Sequence, residues 1–162
     1  MNFRGILFII LALATIGTAG KIMADSPHIK RINPPTILDA TEFGFSQVVV
    51  PAPNTQLIFI SGQFGGNIHG EVPGKTMEEQ MEAAFKNLKA AIEAAGASPS
   101  DVVQIRSFIV NHTQAYLEPL SRNIHALFGT DLPASTLIPV PRLALDPMLF
   151  EIEATLAVPI KK

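Results

Sequence analysis

At 162 residues the chain has the size of one domain and can bury a core without disulfides or metals. It contains no cysteine, which excludes disulfides, a thiolate nucleophile and thiolate metal ligation. The net charge is −2, and it becomes −4 over residues 25–162 because residues 1–24 hold Arg4 and Lys21 and no acid; such an acidic balance argues against a protein that works by neutralising nucleic-acid phosphates.

From Gly5 to Gly20 the chain is uncharged and mostly Ile, Leu, Ala and Phe, with Arg4 before the run and Lys21 after it. A basic start, a short apolar stretch and small residues after it predict a secretory signal over 1–24. Cleavage is expected after Ala24, with Ala19 as the other candidate; an uncleaved anchor is the alternative reading. Export to the periplasm or the medium follows, with no stable membrane association after cleavage. Residues 25–44 are expected to form an extended lead-in to a single domain over 45–162.

Residues 45–50 and 57–61 have the composition of strands, and the turn-forming Pro51-Ala52-Pro53-Asn54 between them predicts an antiparallel hairpin. A helix is predicted over 77–95. Thr76 followed by Glu79 is a capping box, Met77, Met81, Phe85, Leu88 and Ile92 recur on one face, and Gly96 fits a left-handed stop. A strand over 102–110 should turn Val103, Ile105 and Ile109 to one face and Gln104, Arg106 and Phe108 to the other. A second helix over 118–128 tolerates Pro119 in its first turn. Strands over 135–140 and 149–158 complete the order β-β-α-β-α-β-β. The class is α+β, with both helices on one sheet face. The other face then needs cover, which self-association supplies most simply.

Several motifs carry a family resemblance. Ile60-Ser61-Gly62-Gln63, Glu79-Gln80 through Asn87-Leu88-Lys89, Ala94-Ala95-Gly96-Ala97-Ser98, Pro133-Ala134 and Glu151-Ile152-Glu153-Ala154 resemble the signatures of the RidA/YjgF family in order and spacing. The resemblance runs from about Phe45 to Pro159. It implies a chorismate-mutase-like fold, a homotrimer with sheets packed inward, and small-molecule clefts between subunits. The family's archetypes are enamine/imine deaminases, and the resemblance implies no cofactor.

The departures bear on function. Deaminase members carry Arg directly after Pro-Ala, where it binds the substrate carboxylate; here Ser135 follows Ala134. Serine has no fork for a carboxylate, and losing such a buried pair costs on the order of 2–5 kcal/mol. Phe45 stands where the family has Tyr, and Ser121 aligns loosely with a helix-borne Asn. By resemblance Ser61 and Gly62 border the cleft, main-chain groups near Thr136 and Leu137 hold the substrate, and Glu151 orients the attacking water. Glu151 and Glu153 alternate around Ile152 and should share a face. Arg142 is the nearest candidate replacement cation, and Arg106 on another strand is a second. Arg142 lies an odd number of residues from Ser135, which puts them on opposite faces of a regular strand, although Pro139 and Pro141 interrupt that regularity.

His28, His69, His112 and His125 show no metal-ligand spacing and are expected on the surface or in loops, so no metal site is expected. Asn111-His112-Thr113 fits the N-glycosylation pattern. Two readings lead: an exported imine or enamine hydrolase with altered substrate recognition, or a non-catalytic trimer that binds a small molecule. An interaction or chaperone-like role is a third, and RNA binding fits an acidic exported chain poorly.

Overall fold

The computed structural model describes residues 27–160; the expected signal segment and its cleavage point lie outside them. Eight regular elements follow in order: β1 (Ile29–Ile32), β2 (Val48–Pro51), β3 (Thr55–Phe64), α1 (Met77–Ala94), β4 (Val102–Val110), α2 (Leu117–Phe128), β5 (Ala134–Val140) and β6 (Phe150–Pro159). Among the described residues, no helix is long and apolar enough to cross a membrane.

The principal sheet has four strands in the order β3-β6-β4-β5. The β3–β6 and β4–β6 pairs are antiparallel, and β4–β5 is parallel with α2 as its crossover. Both helices cover one face. From α1 come Met81, Phe85, Leu88 and Ile92; from α2 come Leu120, Ile124 and Phe128; the sheet contributes Ile105, Ile109, Phe150, Ile152 and Leu156. Phe85 and Phe150 stack with ring centroids 6.1 Å apart. Burying each such side chain contributes about 1.5–3 kcal/mol before chain entropy is counted. The α+β architecture is as expected from the sequence.

Helix α1 starts where the capping box lies. The Thr76 hydroxyl accepts the Glu79 N–H at 3.2 Å, and the Glu79 carboxylate accepts from the N–H groups of Thr76 and Lys75. Those two backbone bonds hold the Glu79 carboxyl below its ordinary pKa. At the far end Gly96 adopts φ 71°, and Ala97 N–H reaches the Ile92 carbonyl, a Schellman closure. Thr76→Ala is expected to lower stability by about 1 kcal/mol and the melting temperature by roughly 3–5 °C, read by thermal denaturation at neutral pH.

Three expectations need correction. The hairpin between 45–50 and 57–61 does not form: β2 pairs with β1 in a separate two-stranded ribbon, while β3 pairs with β6. The lead-in is accordingly not merely extended, since it contains β1 and a short 3-10 turn at Thr41–Phe43. On β4 the extra residue of a bulge is Val103: Val102 pairs with Leu156 but Gln104 pairs with Thr155. Val102 is therefore fully buried in place of Val103.

The lead-in is fastened to the domain by buried polar contacts. Arg31 bridges to Asp131 at 3.3 Å and donates from Nε to the Leu132 carbonyl and from Nη2 to the Ser100 carbonyl. Ser46 Oγ donates to the same Leu132 carbonyl at 2.8 Å. His28 sits between the Asp101 carboxylate at 3.0 Å and the Ala157 carbonyl at 2.9 Å. It is a largely buried anchor in the turn before β1.

Candidate functional site

The register divides the sheet's residues between two faces. Ser135 lies beside Ile105, which is fully buried under the helices. Ser135 and Leu137 therefore look toward the helix side. Helix α2 does not close over this edge strand. It leaves a cavity of about 860 Å³ between α2, the turn at Thr41–Phe43 and β5. Phe45, Ser121, Ser135 and Leu137, all singled out from the sequence, line it, together with Leu117 and Ile124. Ser121 Oγ donates to the Glu42 carbonyl at 3.2 Å and ties the helix to the turn.

Glu151 lies on the opposite face. It pairs with Phe108 of β4, whose neighbours Ser107 and Ile109 point into the core. Its position depends on a bulge in β3. Ile60 pairs with Ala154 and Gln63 with Ile152, so Ser61 and Gly62 together oppose Glu153. The carboxylate of Glu151 occupies the space above Gly62, where a Cβ would lie 1.7 Å from Oε1. Burial raises the Glu151 pKa above the ordinary carboxylate value, and the negative charge of Glu153 adds to the rise. Glu153 itself is bonded to Arg106 across the β4–β6 pair. Ser61 borders a smaller cleft of about 330 Å³ beside Arg106 and Glu153.

The sequence-derived site residues thus fall into two groups. Phe45, Ser121, Ser135 and Leu137 share the helix-side cavity, while Gly62 and Glu151 touch on the open face with Ser61 nearby. Thr136 pairs with Arg106 and faces outward, away from the cavity. Arg142 lies in the loop after β5, 75% exposed, with Nη2 3.5 Å from Asp146. It does not line the cavity, and neither does Arg106. Leu38, Glu42 and Leu117 border the cavity unannounced by any motif. Among the described residues no cluster of three or more His, Cys, Asp or Glu is placed to hold a metal.

A family model described as Endoribonuclease L-PSP matches residues 37–158. A protein from Dermatophagoides farinae named 2-iminobutanoate/2-iminopropanoate deaminase is 31% identical over 87 residues, which span 53% of this chain and 66% of that protein. A RutC family protein from Pyrococcus abyssi is 32% identical over 60% of this chain and 75% of its own length. The crystal structure of a Rid-family protein of unknown function from Yersinia pestis superposes with a TM-score of 0.77 at 37% identity, covering 81% of this chain and 99% of that one. The fold, the match over residues 37–158 and these likenesses establish that the chain belongs to the RidA/YjgF family.

Proposed function

We propose that the chain is an imine or enamine hydrolase of altered substrate recognition, working in a cleft shared between copies of itself. The observation that carries the reading is the Glu151 carboxylate, seated over Gly62 with its pKa raised. A half-buried carboxylate of raised pKa suits a general base at mild pH. It would accept a proton from water as the oxygen adds to the C=N carbon. Glu151 returns that proton to the nitrogen; a second transfer, from the new hydroxyl through the carboxylate to the amine, lets the carbon–nitrogen bond break, so that ammonia leaves and a carbonyl remains. The likeness to a protein named as an iminobutanoate deaminase supports this class of chemistry.

One chain cannot bring both groups of residues to one ligand, because the sheet stands between them. A second copy whose open face meets the cavity of the first would join Glu151 to Phe45, Ser121 and Ser135. The open face carries Phe59, 75% exposed, which favours such cover. The expected assembly is a trimer, checked by light scattering on the purified chain. Export through a signal segment at 1–24 is proposed on sequence alone.

Ammonia release from imines generated by an amino-acid oxidase tests the chemistry. A rate above buffer on at least one side-chain class is expected. No rate on any class overturns the hydrolase reading and leaves the ligand-binding trimer, which the missing guanidinium at Ser135 favours. Specific ligands would then still raise the melting temperature.

A further inference from the structure

We infer that the cavity beneath α2 selects an apolar ligand body bearing no carboxylate, such as a ketone-derived imine whose carbon carries two hydrocarbon groups. The inference deepens the proposed site, and it concerns binding alone, so it is decided separately from the chemistry.

Three observations carry it. First, the walls are mainly hydrocarbon, with Phe45, Leu117, Leu120, Ile124 and Leu137 among the lining residues. Its rim is apolar as well, with Leu38 64% exposed and Phe43 54% exposed. A volume of about 860 Å³ lies within the range of sites that enclose drug-sized molecules. Second, the fixed charges there are net acidic. Among the described lining residues the one Arg or Lys is Arg122, and its Nη1 is 2.9 Å from both Glu118 oxygens. Glu42 adds a further carboxylate. A carboxylate-bearing ligand would meet two carboxylates and would have to draw Arg122 from Glu118 to find a cation, so it is disfavoured against a neutral ligand. Third, the remaining polar groups are weakly committed or neutral. Ser121 is spent on the Glu42 carbonyl, and His125 Nε2 points to that carbonyl at 3.5 Å. What they leave are two neutral groups, the Ser135 hydroxyl and the Gln114 amide, which can bond a carbonyl or imine nitrogen but bring no charge to an acid.

The test compares two ketones of nearly equal shape, acetophenone and benzoylformate, which differ by a methyl against a carboxylate. Binding to the full assembly is measured by calorimetry at pH 7.5 and pH 5.5, with methyl shifts of Leu117, Leu120 and Leu137 locating the ligand. Acetophenone is expected to bind at least ~10-fold more tightly, with shifts confined to those residues. Ser135→Arg is expected to reverse the preference by supplying a carboxylate partner. Should that variant fail to fold, the unmodified chain alone decides. Equal affinity, tighter benzoylformate at either pH, or no acetophenone binding at millimolar concentration overturns the inference. Acetophenone binding without imine hydrolysis leaves the inference standing and removes only the hydrolase reading.

Discussion

Replacing Arg31 with Met is expected to cost about 3–5 kcal/mol of stability, because it strands a buried carboxylate. The Asp131 side chain is 3% exposed and the Arg31 side chain 12% exposed. The guanidinium also serves the Leu132 and Ser100 carbonyls. Burial removes the solvent screening that makes surface ion pairs nearly worthless. The loss should appear as a lower denaturant midpoint with an unchanged slope. Arg31→Met combined with Asp131→Leu should recover part of the loss, since apolar replacement of both partners removes the stranded charge. A single variant within 1 kcal/mol of the parent would show that the pair does not fasten the lead-in. The same change should loosen the cavity. Ser46, three residues beyond the end of the 3-10 turn, and Arg31 share the Leu132 carbonyl just before β5.

Glu151→Gln is expected to lower kcat for imine hydrolysis by about 10²–10⁴, the range for loss of a positioned acid or base. The amide keeps the shape above Gly62 but cannot accept the proton. In the parent, activity should rise with pH through the raised Glu151 pKa, so the acid limb should lie above the ordinary carboxylate range. The linkage sign is opposite for stability. A carboxyl whose folded pKa lies above its unfolded value binds more protons when folded; its stabilising share is complete below the unfolded pKa and is lost as pH rises through the folded one. Ionised Glu151 therefore weighs against the fold at neutral pH, and Glu151→Gln should melt no lower than the parent there. Gly62→Ala provides a geometric control. The added Cβ would displace the carboxylate, so the rate should fall about 10²-fold while the fold persists. A full rate in both variants would remove Glu151 from the chemistry.

What the sequence reveals here is local. The capping box at Thr76 and Glu79 and the apolar stripe through Phe85 and Leu88 determine α1 without reference to the rest of the chain. Alternation around Ile152 places Glu151 and Glu153 on one face, as the structure has them. What fails is pairing at a distance. Pro53 and Asn54 form the expected turn, yet β2 takes β1 as partner and β3 takes β6, pairings that no residue near the turn encodes. A bulge is equally silent, since Val102 and Val103 are chemically identical and only the facing strand decides which is extra. The Arg31–Asp131 pair spans 100 positions and leaves no local trace. For the site, Phe45, Ser121, Ser135 and Leu137, nominated by resemblance, line one cavity. The resemblance did not reveal that Glu151 stands behind the sheet from them.

That division has an outcome for how the activity is controlled. Under the proposed shared cleft, a solitary chain is inert, so turnover per molecule depends on how much of the protein is present. Dilution below the dissociation constant of the assembly would silence it, and a modest rise in expression would switch it on more steeply than linearly. The sheet that parts the two halves would thus act as a threshold on abundance.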